Sequence, residues 1–445
     1  MFGVKDGFDI VIGNPPYVQL QNNGGALAQK YEEQEYKTFA RTGDEYCLFY
    51  ERGWQLLKDG GHLCFITSNK WMRAGYGEKT RAFFAKNTNP ILLIDFAGVK
   101  IFESATVDTN ILLFGKEKNQ KKTICAVTNK ENKDSVKKLS NFVQQQHTVN
   151  AFASSDSWVI LSPIEQSIKQ KIEAVGVPLK DWNINIYRGV LTGCNEAFII
   201  NTDKRNEILA NCKDEAERKR TEELIRPILR GRDIKRYGYN WAGLWLINTH
   251  NGIKGKLPRV NINDYPAIKA HLDKYWDKIS KRADKGDTPY NLRNCAYMED
   301  FDKPKVVYME IQTNNPKEGY PFPCFSFDYK GCIALNTAYI MCSDKIDIRY
   351  ILGVLNSKMG NFLVKLYVTQ LQERQFRMLA QYVNKFPIPN PSKDQLTQVA
   401  SLVTTEMKNP SMVLEQKIDL IDLIVYDLFH LDKQERKFIE HIDFQ

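Results

Sequence analysis

The first 115 residues alternate short apolar runs with amphipathic segments, and this alternation constrains the fold more than any other feature of the sequence. Four runs have the length and β-branched content of buried strands. They are FDIVIG (8–13), HLCFIT (62–67), 91–96 and 110–115. Apolar residues recur at helical spacing within 44–58 and 76–86. Strands that alternate with helices across short glycine-marked breaks are typical of a parallel α/β sheet.

The composition and the hydrophobic pattern change further along the chain. Residues 116–150 are rich in Lys, Asn and Gln, which predicts a sheet edge followed by an exposed connector. A helix is predicted at 164–173. From about residue 180 the regular alternation of strands and helices is lost, and further helices are predicted at 203–226, 265–282, 348–367, 395–408, 414–429 and 433–441. We therefore predict an α/β region at 1–150, a connector at 151–180, a mixed α/β region at 181–395 and a helical segment at 396–445.

Composition excludes several classes of protein. An apolar fraction of 43% with 26% charged residues excludes wholesale disorder. Mean hydropathy is −0.44 and no run of 18 apolar residues occurs, so no membrane span is expected. The N-terminus lacks the pattern of a secretory signal, which favours a cytoplasmic location. Nine cysteines without a CxxC pair, six histidines and no HExxH motif predict reduced thiols and no metal site.

The net charge of +9 is unevenly distributed. Residues 201–300 hold 21 Lys and Arg against 15 Asp and Glu, and residues 351–400 hold 6 against 2. Residues 401–445 reverse the balance, with 5 against 9. A basic middle with an acidic tail is compatible with a polyanionic partner for the middle of the chain.

The tetrapeptide Asn14-Pro15-Pro16-Tyr17 follows the first predicted strand directly. Ligands of open α/β sheets bind at the carboxyl ends of the strands. The Asn14 side-chain oxygen and a backbone carbonyl freed by the prolines are two acceptors that suit the two N–H donors of an exocyclic amine, and the tyrosine ring offers a face for a flat base. A proline-bounded turn with an asparagine cap is the alternative interpretation. The preceding strand favours a binding site.

Residues 9–17 (DIVIGNPPY) resemble motif IV of the N6-adenine DNA methyltransferases. Residues 44–61 resemble the next helix of that family, 62–72 the strand and loop after it, and 101–114 the segment that supplies a second aromatic for a flipped base. Six later segments resemble the TaqI-like specificity domain: 187–200, 225–237, 303–311, 350–363, 384–391 and 421–440. The resemblance implies an α/β fold in which a partial Rossmann-like methyltransferase sheet is followed by a mixed α/β target-recognition domain and a small helical C-terminus.

The resemblance also implies a reaction, in which a methyl group passes from S-adenosylmethionine to N6 of an adenine swung out of duplex DNA. Asn14 and the Pro15 carbonyl would accept the two N6 hydrogens. Tyr17 and Phe102 would stack on the two faces of the base, and Phe49 would border the adenine of the cofactor. Core packing is the alternative for both phenylalanines.

The family pattern breaks before the tetrapeptide. In the family, a strand with a glycine-rich turn that binds the cofactor precedes NPPY, whereas only 13 residues precede Asn14 here, and no such motif appears later. We expect either that a separate polypeptide supplies this half or that the chain is shortened at its N-terminus. A sheet without those strands exposes an edge and apolar surface, so we expect a partner chain or self-association to cover it.

Basic side chains and one glutamine supply the candidates for contact with double-stranded DNA. They are Arg188, Arg230, Arg232, Lys235, Arg236, Gln372, Arg374 and Arg377. The cluster at 226–236, next to Tyr237 and Tyr239, suits phosphate contacts, with a solvated surface loop as the alternative. The segment 370–377 suits base edges, because Gln pairs with adenine and Arg with guanine. Arg188 lies in a stretch that resembles the opening loop of the specificity domain.

Three function classes follow from these features. The first is an adenine-N6 DNA methyltransferase of a restriction-modification or phage-defence system. The second is a sequence-specific DNA-binding or specificity subunit without its own catalysis, because the main cofactor motif is absent. The third uses the tetrapeptide on a different amine, in a protein glutamine or in structured RNA. The long specificity-like region argues against the third.

Overall fold

The computed structural model describes residues 6–102, 108–128, 133–314, 322–372, 374–408 and 414–442. The chain forms two compact units. The first contains the residues up to Gln170 and the short segment that begins at Thr369, and the second contains Lys171–Val368 and the chain from Arg374 to Ile442. Within the described ranges, no helix is both long enough and apolar enough to cross a membrane.

A six-stranded sheet forms the centre of the first unit. Its strands are β1 (Phe8–Gly13), β2 (Leu57–Ser68), β3 (Asn89–Asp95), β4 (Thr109–Gly115), β5 (Thr123–Val127) and β6 (Thr148–Asn150), in the order β1-β2-β4-β3-β5-β6. β1 runs parallel to β2 and β3 runs parallel to β5, whereas β4 is antiparallel to both of its neighbours. The helices are α1 (Asn22–Glu32), α2 (Tyr46–Leu56), α3 (Glu78–Asn87), α4 (Leu139–Gln146) and α5 (Pro163–Val175), the last of which continues into the second unit.

Aromatic side chains fill the core of this unit. Tyr46 and Tyr50 of α2, Phe84 of α3 and Phe114 of β4 are buried in one hydrophobic cluster. Trp71, from the loop after β2, packs edge-on against Phe84 with ring centroids 5.1 Å apart. Large rings bury much apolar area at little cost in side-chain entropy, so this cluster fixes α2 and α3 against the sheet.

β1 lies at an edge of the sheet, and within the described residues it pairs with β2 alone. The side chain of Val11 in β1 packs against the core. Its neighbours Ile10 and Ile12 are 68% and 78% exposed. The apolar exposed edge expected from the sequence is therefore present. Such an edge offers unpaired backbone groups and apolar side chains to a further strand.

Some details of the first unit differ from the sequence predictions. β2 begins at Leu57, so the break predicted between the segment 44–58 and the strand 62–67 lies inside β2, where Gly60 has a φ of +76°. Residues 116–150 do not form only an edge and a connector, because β5 and β6 extend the sheet there. Cys125 and Ala126 of β5 are buried, and this short run lies between stretches rich in Lys, Asn and Gln that predicted an exposed connector.

The second unit is built from several small sheets. Its strands are β7 (Gly176–Pro178), β8 (Asn185–Arg188), β9 (Ile199–Asn201), β10 (Ile225–Leu229), β11 (Leu244–Ile247), β12 (Lys305–Met309), β13 (Ile311–Thr313), β14 (Phe325–Asp328), β15 (Ile333–Ala334), β16 (Ala338–Cys342), β18 (Gln375–Arg377) and β19 (Pro387–Pro389), while β17 (Thr369–Gln372) lies in the first unit. Two four-stranded sheets have the orders β15-β10-β11-β9 and β14-β12-β16-β8. β13 pairs with β18, and β7 pairs with β19.

Helices accompany these sheets and form the C-terminal part. They are α6 (Asn195–Phe198), α7 (Thr202–Ala210), α8 (Glu215–Leu224), α9 (Pro266–Asp273), α10 (Trp276–Ile279), α11 (Ile348–Asn356), α12 (Lys358–Tyr367), α13 (Ala380–Val383), α14 (Lys393–Lys408), α15 (Leu414–Leu428) and α16 (Lys433–Glu440). The single helix predicted over 203–226 is two helices, because Asp214 caps α8 by accepting a hydrogen bond from the Glu217 amide at 2.7 Å. The helix predicted over 348–367 is likewise divided at Ser357.

The fold class predicted from the sequence is confirmed. A sheet that contains parallel strands comes first, a mixed α/β region follows, and the chain ends in helices. The parallel character is partial, since β4 runs against its neighbours.

Candidate functional site

The tetrapeptide Asn14-Pro15-Pro16-Tyr17 leaves the sheet at the carboxyl end of β1. Asn14 and Pro16 are exposed, while Pro15 is buried. No described residue donates a hydrogen bond to the Asn14 side chain or to the Pro15 carbonyl. An exposed side-chain acceptor and a neighbouring backbone acceptor, neither of them bonded within the described residues, therefore follow the end of a parallel strand.

Tyr17 is held by its aromatic neighbours. Its ring meets the Tyr46 ring edge-on with centroids 6.1 Å apart. The Tyr46 and Tyr76 hydroxyls lie 2.8 Å apart, and Tyr76 donates to Asp44 Oδ2 at 2.8 Å. The Tyr17 hydroxyl is buried without a hydrogen-bond partner among the described residues, and burial raises its pKa to about 12. The ring is thus a neutral, positioned surface rather than an acid or a base.

The chain beyond the tetrapeptide is anchored to the start of α2. The Glu45 amide donates to the Val18 carbonyl at 2.8 Å, and the Leu20 amide donates to the Gly43 carbonyl at 2.9 Å. The tetrapeptide is therefore fixed by β1 on one side and by this pairing on the other. Fixed acceptors are what a site that works by positioning requires.

A buried polar network supports the same edge of the sheet. Asn110 Oδ1 accepts hydrogen bonds from the Thr67 hydroxyl at 3.0 Å and from the Trp71 indole at 3.1 Å. The Tyr50 hydroxyl lies 3.0 Å from the Thr67 hydroxyl. Thr67 is near the carboxyl end of β2, and Asn110 lies opposite it at the start of β4. The network holds the loop after β2 to the sheet, and the sequence motifs did not single it out.

Asp95, the last residue of β3, carries a titratable group at this edge. Asn69 donates to its Oδ1 at 2.8 Å. Burial raises the pKa of the Asp95 carboxyl to about 6, while the Asn69 hydrogen bond and the nearby Arg73 guanidinium lower it in part. The ionised carboxylate is therefore an unfavourable group in the folded protein at neutral pH.

We expect Asp95→Asn to raise the free energy of unfolding by up to about 3 kcal/mol at pH 7.5, because the pKa is raised by about two units and each unit corresponds to about 1.4 kcal/mol. The folded pKa lies above the unfolded value of 3.8. The penalty in the wild type is thus fully present above pH 6 and is lost as the pH falls toward 4. Urea unfolding at pH 7.5 and pH 5 measures it, and the gain should shrink at pH 5.

Asp134→Asn, at an exposed position of the short 3-10 helix Lys133–Lys138, is the matched control and should change stability little at either pH. An Asp95→Asn protein that is less stable than the wild type by the same amount at both pH values would contradict the assigned burial penalty.

The other predicted residues of this unit are placed as follows. Phe49 of α2 is 38% exposed, so it is not a core residue. Phe102 is partly buried, and residues 103–107 of its segment lie outside the described residues. Among the described residues, no group of three or more His, Cys, Asp or Glu is arranged to hold a metal ion.

The DNA-contact candidates at 226–236 are largely engaged within the second unit. Arg230 is held by Asp233 through Nε at 3.0 Å and Nη2 at 2.7 Å. Arg226 donates to the Gly331 carbonyl at 2.7 Å, and Arg236 donates to the Asn356 carbonyl. Arg232 is exposed and Lys235 is half-buried. The neighbouring rings are packing groups, since Tyr237 is buried and the Tyr239 hydroxyl donates to Asp328 at 2.9 Å.

The remaining candidates lie on β8, β17 and β18. Gln370 accepts a hydrogen bond from Arg73 within the first unit, and the side chain of Gln372 lies outside the described residues. Arg374 has a left-handed backbone with a φ of +61°. Arg188 and Arg377 are brought together by Glu310, a residue that sequence reasoning missed as a site residue. The sequence offered one signal for Glu310, which is a single acidic residue directly after the mostly apolar run KVVYM.

Two family models match the chain. The Eco57I restriction-modification methylase model matches residues 1–102, and the TaqI-like C-terminal specificity domain matches residues 226–388. The first match includes the tetrapeptide, and the second includes Glu310 and Arg377. These matches confirm the resemblance to restriction-modification methylases with a TaqI-like specificity domain.

Curated relatives and solved structures agree with these matches. The chain is 23% identical to the type II methyltransferase M.BstVI of Geobacillus stearothermophilus over 97% of its own length and 75% of that protein. It is 22% identical to M.PaeR7I of Pseudomonas aeruginosa over 96% of its length and 71% of that protein. The solved type IIL restriction-modification enzyme MmeI, in complex with DNA, superposes with a TM-score of 0.57 and 14% identity, and the chain spans 57% of it. At that identity the likeness to MmeI shows the fold alone.

Proposed function

We propose that this chain, with its Eco57I-type methylase segment and its TaqI-like specificity segment, forms the base-binding and DNA-reading parts of an adenine-specific DNA methyltransferase in a restriction-modification system. The observation that carries the proposal is the exposed Asn14 side chain, next to the fixed ring of Tyr17 and to a Pro15 carbonyl that accepts no hydrogen bond from the described residues. The family matches over 1–102 and 226–388 support it.

The acceptors act on the amine of an adenine that has left the duplex. The Asn14 oxygen and the Pro15 carbonyl accept one N6 hydrogen each, which draws electron density onto the nitrogen as it becomes the nucleophile. Tyr17 and Phe102 stack on the ring and recover part of the few kcal/mol that unstacking costs. Catalysis by these residues is positioning and electrostatic stabilisation, and needs no strong base.

S-adenosylmethionine supplies the methyl group in this proposal. The main part of an S-adenosylmethionine site in this family is a glycine-rich turn between a parallel strand and the next helix. The described residues of the first unit do not fit it, because none of their glycines with a left-handed backbone lies in such a turn. Gly24 and Gly25 lie at the start of α1, Gly60 lies within β2, and Gly98 lies between β3 and β4. The open edge of β1 supports the proposal that a separate polypeptide segment or a second copy of the chain covers Ile10 and Ile12.

Double-stranded DNA is the proposed partner of the second unit. Its basic stretch at 201–300 and the TaqI-like match support this assignment. The domain limits proposed from the sequence, with recognition by 181–395, remain part of this proposal.

Transfer of radiolabelled methyl groups from S-adenosylmethionine tests the substrate class. The full-length protein, purified with any polypeptide that accompanies it, is offered unmethylated duplex DNA, structured RNA and a protein extract. We expect label in duplex DNA alone. Label in protein or RNA but not in DNA would contradict the proposal.

A specificity subunit without its own catalysis is the second candidate, and it is favoured by the finding that no described glycine lies in a turn suited to the cofactor. It predicts duplex binding that weakens steeply with salt, no methyl transfer, and no effect of Asn14→Ala on binding. Methyl transfer that depends on Asn14 excludes it.

A further inference from the structure

We propose that Glu310 is a positioning residue that holds Arg188 and Arg377 as a fixed pair of duplex-DNA contacts, an inference that rests on the proposed function. The three residues are far apart in sequence. Arg188 ends β8, Glu310 lies between β12 and β13, and Arg377 ends β18.

The sheet pairings bring the three residues together. β16 lies between β12 and β8, and its Tyr339 is opposite both Arg188 and Tyr308. On the other side of Glu310, Ile311 of β13 is opposite Arg377. The Met378 amide donates to the Glu310 carbonyl at 2.7 Å, which fixes the backbone at this point. Glu310 is therefore between the two arginines by the register of two separate sheets.

The Glu310 carboxylate is divided between the two guanidinium groups. Oε2 accepts from Arg188 Nη2 at 2.8 Å, and Oε1 accepts from Arg377 Nε at 3.0 Å and Nη2 at 2.8 Å. Glu310 is only 6% exposed, whereas the arginine side chains are 51% and 46% exposed. A buried acid thus anchors two cations that face outward.

Each arginine keeps donors for a ligand. A guanidinium has five N–H groups. In Arg188, Nε donates to the Asn336 carbonyl at 2.9 Å, so both arginines use Nε and one hydrogen of Nη2 within the protein. Nη1 of either residue makes no hydrogen bond to the described part of the chain. The outer edge of each guanidinium, formed by Nη1 and Nη2, can still bind two acceptors at once.

This arrangement differs from an ion pair that serves stability. Half-exposed ion pairs contribute little to folding, about 0–1 kcal/mol. Arg230, by contrast, has a mostly buried side chain, and its guanidinium donates hydrogen bonds to both carboxylate oxygens of Asp233. Two positive charges against one carboxylate leave a net positive charge at the Glu310 cluster. Paired acceptors on duplex DNA, either O6 and N7 of a guanine or two phosphate oxygens, match the free edges.

Fluorescence anisotropy with a labelled 40-base-pair duplex of random sequence tests the pair. We expect Arg188→Ala and Arg377→Ala each to weaken binding by about 10-fold, and Arg377→Lys to weaken it nearly as much, because lysine keeps the charge but not the fork. Arg436→Ala is the matched control, since Arg436 pairs with Asp427 in the acidic C-terminal segment, outside the basic stretch. It should change affinity by less than about 2-fold.

The decisive variant is Glu310→Gln. Removing a negative charge near DNA by itself strengthens binding, and the control Glu222→Gln, from a surface pair with Arg205, should do so slightly. If Glu310 positions the arginines, Glu310→Gln instead weakens binding by about 5-fold. This loss of affinity is about what the loss of one bidentate arginine contact to DNA costs. That loss should vanish in the Arg188→Ala/Arg377→Ala background. Melting temperatures are measured for every variant to show that folding is retained.

Selection from a randomised duplex pool separates the two acceptor sources. Contact with a guanine predicts that Arg377→Ala or Arg188→Ala removes the preference at one base pair, whereas contact with phosphate predicts a uniform loss and a salt dependence reduced by about one unit per arginine. The inference is overturned if folded Glu310→Gln binds as tightly as the wild type, or if both arginine variants behave like Arg436→Ala. A wild-type chain that does not bind duplex DNA at all would overturn the proposed function as well.

Discussion

Asn14→Ala is expected to reduce methyl transfer to duplex DNA by at least about 100-fold, the effect of removing one preorganised hydrogen-bonding group from a reacting centre. The Asn14 side chain is exposed at the end of β1 and makes no hydrogen bond to the described residues, so its removal should leave the fold intact. Initial rates of methyl transfer, with duplex affinity and melting temperature measured in parallel, test this expectation.

The matched control is Asn141→Ala, which removes an exposed asparagine from α4 and should leave the rate unchanged. The largest effect should be on kcat, because the interaction strengthens as the nitrogen attacks. An Asn14→Ala protein with full activity would remove the basis of the proposed chemistry.

Lys305→Met is expected to lower the free energy of unfolding of the second unit by about 3–5 kcal/mol. Lys305 Nζ lies 2.5 Å from Asp328 Oδ2, and both side chains are fully buried. The lysine also donates to the Phe301 carbonyl at 2.6 Å, and Asp328 accepts from the Tyr239 hydroxyl and the Cys332 amide. Methionine would leave a buried carboxylate without its counter-charge.

Urea unfolding followed by tryptophan fluorescence measures this loss. Lys303→Met is the matched control, because Lys303 forms surface pairs with Asp300 and Asp344 and should cost less than about 1 kcal/mol. The double variant Lys305→Met/Asp328→Asn should be less destabilised than the sum of its single variants, since the unpaired charge is gone. A loss below 1 kcal/mol for Lys305→Met would contradict the assigned burial of this pair.

The sequence predicted the elements whose signals are local. β1 is found at the predicted 8–13, because a β-branched run bounded by glycine and two prolines has few alternatives. The helices α2 and α3 lie within two residues of their predicted limits, since their apolar spacing matches the face they bury. The exposed Asn14 follows from the same reasoning, because a strand that ends in prolines must leave the sheet.

Features set by long-range pairing could not be predicted in the same way. The antiparallel direction of β4 depends on how β2 and β3 lie beside it, and no residue of NILLFG encodes it. The engagement of Arg230 by Asp233 is local and could have been anticipated from their three-residue spacing. The meeting of Arg188, Glu310 and Arg377 depends on the register of two sheets and is visible only in the folded chain.

Identification of the methylated nucleoside tests the central claim most directly. Duplex DNA treated with the full-length protein and S-adenosylmethionine is digested to nucleosides and analysed by mass spectrometry. If the Asn14 oxygen and the Pro15 carbonyl hold an adenine amine, the product is N6-methyldeoxyadenosine, and it falls to trace levels with Asn14→Ala. A methyl group on a ring carbon of cytosine, or N6-methyldeoxyadenosine formed undiminished by Asn14→Ala, would contradict the claim.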